Sequence, residues 1–420
     1  MALSTTSASE SMQQEQSAQQ SNKPKQPQHK HDRLITRDMA LVMLATFCFM
    51  SSNMLANPIV AGYAESLGAS GMLMGVVAGS MSFISLFCRP IAGNLSDRTS
   101  KRTLVAAGTV LYFAAGLLYY FAGSPIMLIM ARVINGVGFA CCSVCLATWM
   151  SLLLPIRHMG AGMGLYGTMN ALAMAVGPAF GIRAQKYIGY RLTFLSSLVL
   201  AAIMLIATLM VKNGGQPVRK KQTSISATKK HRFSIRSILE PRVVSLSLTF
   251  MMFAIAYFAN QSFIVSYVQS RHLPVSSDLF FMFYAVALLV LRLGLRDLFD
   301  SKGFRFWLTV CSLGMLAMLA CMTFLFNDWM LLLAAIFTAV GYGLMSSVTQ
   351  AQAVVIAGRE RSGIANSTYY AGIDLGMSVG PFVGGLVYGH LPAVWFYPVF
   401  MLAMPVAWLI YLLCVKRVSR

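Results

Sequence analysis

The chain has 420 residues, is 57% hydrophobic and only 11% charged, and carries a formal net charge of +20. Soluble globular domains carry roughly a quarter charged residues, so this composition excludes an ordinary soluble enzyme. It also turns the positive charge away from nucleic acid, because apolar runs of the roughly 20 residues needed to cross a bilayer recur along the chain, and basic loops between such runs set orientation.

Residues 1–37 are rich in Gln, Ser and Lys and read as a disordered cytoplasmic tail, since they hold too little apolar surface to offset ordering. No secretory signal peptide is expected there. The runs Leu41–Val60, Met72–Phe87 and Thr103–Tyr120 open a series of twelve predicted spans, centred near Met50, Ser82, Ala115, Gly138, Ala173, Ile203, Phe258, Val286, Gly314, Gly341, Leu375 and Ala403. They divide into a six-helix bundle over 38–211, a basic cytoplasmic linker over 212–242, a second six-helix bundle over 243–416 and a short cytoplasmic tail over 417–420. The fold class is therefore an all-α membrane protein. With the N-terminus inside, only Arg183, Lys186, Arg191 and Arg271 of the 33 Lys and Arg fall outside, and Arg132 falls within a span. That bias predicts cytoplasmic termini in a plasma-membrane protein. The linker cations, among them Lys220 and Arg232, read as topology signals or as contacts with anionic headgroups. All eight cysteines fall within apolar runs, and Cys141, Cys142 and Cys145 read as small packing residues rather than a metal site.

The two halves repeat at a constant offset of 203: Gly177-Pro178 recurs as Gly380-Pro381, Asn57 as Asn260, Arg89 as Arg292, Asp97 as Asp300 and Gly138 as Gly341. Such a repeat implies two bundles flanking a central path, with the substrate near the midplane.

Three motifs carry chemistry. The loop after the second run contains Gly93, Asp97, Arg98, Lys101 and Arg102, a carboxylate beside cations at a cytoplasmic helix end. Such a network can hold two bundles in one state and release them in another. Its echo in the second half keeps Asp300, Gly303 and Arg305, but Arg296 and Phe304 stand at the places of Gly93 and Lys101. The fourth run holds Arg132, Gly136 and Gly138, an intramembrane cation that either lines an interior path or snorkels to the interface. The fifth run holds Gly164, Gly177, Pro178 and Gly181, repeated around Gly380 and Pro381, where small residues and a Pro kink suit a helix that rocks.

Together these motifs resemble the major facilitator superfamily, with Ser100 in place of one signature Gly and Ala173 and Ile182 in place of two others. The resemblance covers nearly all of 38–416 and implies alternating access by a functional monomer. The fifth-run signature resembles that of twelve-helix drug/proton antiporters, which implies proton-coupled efflux with Arg132 involved in proton handling. A lipophilic or amphipathic substrate fits the residues as well: the span interiors offer few polar groups for a substrate cavity, Asn53, Asn57, Asn170, Asn260, Gln261 and Tyr369 among apolar neighbours. Uptake or export of a small metabolite or sugar is the alternative. An intramembrane enzyme is disfavoured by the lack of His-Glu-x-x-His, Gly-x-Ser-x-Gly or paired catalytic carboxylates. No cofactor or metal is implied, and the partners are a small-molecule substrate, protons and the lipid bilayer, without nucleic acid.

Asp374 alone among the acids lies deep in an apolar run. It stands eleven residues after Gly363, about 16 Å at 1.5 Å per residue, near the middle of a core about 30 Å thick. Desolvation there disfavours the charged form, which suits a group that loads and releases protons. It also suits pairing with a cationic substrate. An acid kept neutral between helices is the structural alternative.

Overall fold

A bilayer core offers no water to unpaired backbone groups, so an apolar run that crosses it must satisfy its N–H and C=O groups internally, as a helix does. The computed structural model describes residues 36–154, 159–216, 240–295, 302–357 and 362–418, and its regular structure there is wholly helical. Asp300 and most of the basic linker lie outside the described residues, and so does the side chain of Asp97.

The first four helices are α1 (Arg37–Ser66), α2 (Gly71–Arg98), α3 (Lys101–Phe121) and α4 (Pro125–Leu153). Their turns are tight because the caps are local. Ser70 accepts from the Leu73 amide, and Ser124 accepts from the Met127 amide ahead of a proline in the first helical turn. Met159–Met210 is far too long for one crossing and breaks at Gly189, where φ is 75° and ψ is 172°. A side chain strains at that φ, so glycine alone turns the chain there without cost. We label the two pieces α5 (159–188) and α6 (190–210).

The second half contains α7 (Pro241–Ser270), α8 (Ser277–Gly294), α9 (Phe304–Thr323), α10 (Asp328–Ala357) and α11 (Ser362–His390). The last helix, α12, covers Phe396–Met401 and Ala403–Val418. Within α10 one turn, Ala339–Leu344, is π-helical. Among the described residues ten helices are long and apolar enough to cross a membrane. Large apolar side chains such as Phe87, Ile91, Val110, Val286 and Val290 stand on the outer surface, as lipid contact requires.

The 203-residue repeat reappears in the packing. Helix α1 packs on the Met159–Met210 stretch as α7 packs on α11, and α2 packs on α4 as α8 packs on α10. Among the described residues the halves meet chiefly through three pairs: α2 with α11, α5–α6 with α8, and α1 with α7. At one end the α2–α11 approach is backbone to backbone. A methyl added at Gly75 would come within 2.6 Å of the Pro381 carbonyl, and one at Gly71 within 2.6 Å of the Gly389 amide. The same end carries the Arg183–Asp278 contact at 3.9 Å and the Tyr388–Glu65 hydrogen bond at 3.3 Å.

Candidate functional site

Further along the same α2–α11 seam the two halves are joined by charge. Arg89 Nη2 donates to Asp374 Oδ1 at 3.0 Å, and Arg89 Nε stands 2.5 Å from Oδ2. Two guanidinium nitrogens face the carboxylate, one through a charge-assisted hydrogen bond and the other by close charge contact. The carboxylate side is 3% exposed and the guanidinium side 23%. Phe139 of α4 covers the cation, its ring centroid 5.5 Å from the guanidinium carbon. Asp374 is thus the buried intramembrane acid that the sequence singles out, but it is ion-paired rather than alone. The sequence contained its partner only as a repeat mark, because an Arg nine residues before the end of its helix at Arg98 reads as an ordinary boundary cation.

A second polar locus bridges α1 and α7. Met54 sulfur receives Asn57 Nδ2 and Gln261 Nε2, each at 3.9 Å. Beside it Asn53 is fully enclosed with both amide atoms unpaired, and Asn260 Nδ2 and Gln261 Oε1 are also enclosed without partners. Buried amides normally find partners, so this is where a polar ligand group would be best received. The other two predicted cavity residues lie apart from it. Asn170 Nδ2 bonds its own helix at Tyr166 O, 3.1 Å, and Tyr369 bonds Ser346 O at 2.9 Å.

Arg132 does not reach the interface. It is 1% exposed and spans α1 and α2, with Nη1 and Nη2 each 3.2 Å from Asn57 Oδ1, Nη2 2.6 Å from Ala78 O and Nε 3.3 Å from Val77 O. No acid is among these partners. Asn260, the repeat mate of Asn57, instead accepts from Tyr397 of α12 at 2.9 Å. Each half therefore anchors its asparagine from a different helix.

The cations of the loop after α2 bind helix-end carbonyls. Lys101 Nζ donates to Ser96 O, and Arg102 Nη2 donates to Val211 O and to Lys212 O. Ser100 Oγ reaches Gly214 O at 2.7 Å, and Asp38 accepts from the Lys212 and Asn213 amides at 3.2 and 2.9 Å. This clasp ties α1, α3 and the end of α6 within one half. Gly93 has open space around it.

The glycines of the fifth and eleventh helices are contact points. Gly177 and Gly181 lie against α1 at Met54 and Leu55, and Gly380 lies against α7 at Ile255 and Ala259. Pro178 and Pro381 sit within their helices. Gly164 lies outside the groups whose surroundings are described. The cysteine cluster packs as small residues do, with Cys142 facing Gly108 and Val105 of α3.

Comparison with known proteins places this architecture. The profile of one family, the Major Facilitator Superfamily, matches residues 42–328 and 303–420. An uncharacterized MFS-type transporter of Methanocaldococcus jannaschii is 24% identical over 371 residues, covering 85% of this chain and 92% of that protein. The human synaptic vesicular amine transporter is 26% identical over 172 residues, 41% of this chain and 33% of its own length. Among solved structures, a POT family transporter in complex with 5-aminolevulinic acid superposes with a TM-score of 0.72 at 11% identity, over 91% of this chain and 97% of that one.

Proposed function

The chain belongs to the Major Facilitator Superfamily and is a membrane transporter of that type; from that premise we propose that it is a secondary active transporter exporting lipophilic or amphipathic small molecules against protons by alternating access. The observation that carries this reading is the buried Arg89–Asp374 ion pair between the halves. An ion pair in a low-dielectric seam is stable only while both partners are charged and in register. Protonation of Asp374 removes its charge, leaves Arg89 uncompensated and favours separation of α2 from α11. The Gly71, Gly75, Gly385 and Gly389 contacts lie on the same helix pair, so loosening the pair bears directly on the closed end. A proton thereby acts on the equilibrium between the two access states.

In this reading α5, α6 and α8 complete twelve spans in two six-helix bundles, with both termini cytoplasmic in the plasma membrane and the monomer as the working unit. Asp97, Arg98 and Asp300 remain proposed gate residues, and Lys101 and Arg102 act by fixing the end of α6. Arg132 holds α1 on α2 rather than carrying the proton itself.

A second reading, transport of a small polar metabolite, is favoured by the unpaired amides of Asn53, Asn260 and Gln261. Reconstituted vesicles decide between the two. Proton release driven by lipophilic compounds, and not by sugars or other polar metabolites, supports efflux. Proton-linked or facilitated movement of the polar compounds alone overturns it.

A further inference from the structure

Helix α12 is not continuous. It breaks at Leu402, between Phe396–Met401 and Ala403–Val418, and Pro405 offers no N–H to the Met401 carbonyl. Helix α9 packs chiefly on the short first piece, although the second piece is the longer. Along the second piece the two helices part, and a groove of about 280 Å³ lies between them. Thr309, Ser312, Leu313 and Leu316 of α9 line one wall, and Pro405 and Trp408 of α12 line the other. The lining presents apolar surface only. Its polar side chains are already committed: Thr309 donates to Arg305 O at 2.9 Å, and Ser312 accepts from Trp408 Nε1 at 3.1 Å. Leu313 is 63% exposed, so the groove opens on the outer surface that lipid covers.

The groove has the depth of one leaflet. Thr309 stands five residues after Phe304, the first residue of α9, and Leu316 stands twelve after it. At 1.5 Å per residue these are about 8 Å and about 18 Å along the axis. Half of a hydrocarbon core about 30 Å thick is about 15 Å. The groove therefore runs from beneath the headgroups to the midplane. Arg305, Thr309, Ser312 and Leu316 keep the spacing of one helix face, which puts Arg305 at the headgroup end of the groove. Arg305 is exposed, and so is Lys302, three residues before it. In sequence, 296–305 and 416–420 together carry Arg296, Lys302, Arg305, Lys416, Arg417 and Arg420 against Asp297 and Asp300. The balance at this end of the two helices is positive even with both acids paired.

We propose that the α9–α12 groove is a binding site for one anionic phospholipid, with an acyl chain along the groove and the phosphate headgroup on Arg305 and Lys302. In the topology proposed above, this lipid belongs to the cytoplasmic leaflet. Apolar shape alone selects no lipid, because lipid tails are as apolar as the groove wall. Selection comes from the cations, each of which favours an anionic headgroup about fivefold, or about 1 kcal/mol. The volume falls just below the roughly 300–1,000 Å³ of drug-sized pockets, which suits a chain rather than a bulky transport substrate. The site stands apart from the transport reading and holds whichever compound is carried.

The test uses the purified full chain in nanodiscs of equal parts phosphatidylcholine and phosphatidylglycerol. Native mass spectrometry of protein released from the discs counts the lipids that stay bound. The wild type retains phosphatidylglycerol over phosphatidylcholine at least about tenfold, from two cations at about fivefold each. Arg305→Gln lowers that preference about fivefold. Thr309→Trp fills the groove and removes the retained lipid while leaving both cations in place. Both positions are exposed, so neither change opens the core. Arg37→Gln, which removes an exposed cation at the start of α1, leaves the preference unchanged. Equal retention of the two lipids by the wild type overturns the proposal. Equal losses in Arg37→Gln and Arg305→Gln overturn it too, by assigning the preference to surface charge in general. Retention unaltered in Thr309→Trp separates the headgroup from the groove and has the same consequence. A two-chain mass that Thr309→Trp returns to one chain seats a second copy in the groove and overturns the lipid role.

Discussion

The Arg89–Asp374 pair makes a quantitative claim. Asp374→Asn keeps the shape and the hydrogen-bond acceptor but removes the charge, and Arg89→Gln does the converse. With the carboxylate 3% exposed and the guanidinium 23%, each single change leaves a charge in the seam without its partner. Breaking a buried pair from one side costs about 3–5 kcal/mol. The partial exposure of Arg89 lets water reach it, so Asp374→Asn falls at or below the lower end of that range, while Arg89→Gln, which strands the more deeply enclosed carboxylate, costs more. The double variant strands neither group and is more stable than Arg89→Gln. The coupling from the cycle then exceeds the cost of Asp374→Asn alone and is on the order of 3 kcal/mol. Thermal unfolding in nanodiscs at fixed protein and lipid composition reads all four forms. Changes that add within about 0.5 kcal/mol would refute the argument that this pair joins the halves.

Other expectations follow from individual contacts. Arg132→Met loses the bonds to Asn57 Oδ1, Val77 O and Ala78 O and lowers stability by roughly 3 kcal/mol, at about 1.5–3 per charged hydrogen bond with partial compensation; a loss under about 0.5 kcal/mol in urea or thermal unfolding would remove its anchoring role. Gly75→Leu places a side chain against the Pro381 carbonyl and Gly385, so it holds the α2–α11 end apart; a cysteine pair at positions 71 and 389 then cross-links more slowly than in the glycine background, and an unchanged rate contradicts the close approach. A cysteine introduced at position 220 of a cysteine-free chain stays unlabelled by impermeant maleimide in sealed right-side-out cells, whereas labelling reverses the proposed topology.

The helices were legible because apolar runs near 20 residues have one answer in a bilayer, and the repeat was legible because Gly177-Pro178 and Gly380-Pro381 share one offset with Asn57 and Asn260. Asp374 was legible as a single carboxylate in an apolar run. Its partner was not, since Arg89 and Asp374 stand 285 residues apart and nothing local distinguishes an Arg that reaches inward from one that caps a span. Lys101 and Arg102 read as a charge network because their neighbour in sequence is Asp97, whereas their described partners are the carbonyls of Ser96, Val211 and Lys212, set by how α6 returns to α3. The π turn at Ala339–Leu344 left no mark in apolar periodicity. The best available hint was Gly341 and Gly343 flanking a tyrosine.

The claim that a proton on Asp374 drives the cycle is tested most directly by gradient-driven accumulation in proteoliposomes, using whichever compound elicits proton flux in the wild type. Asp374→Asn is compared with wild type at matched protein density, with an imposed pH gradient and then without one. The account predicts that the variant loses accumulation above equilibrium while still exchanging labelled for unlabelled substrate down a gradient. An accumulation ratio equal to that of the wild type would show that Asp374 only holds α2 to α11 and takes no part in coupling.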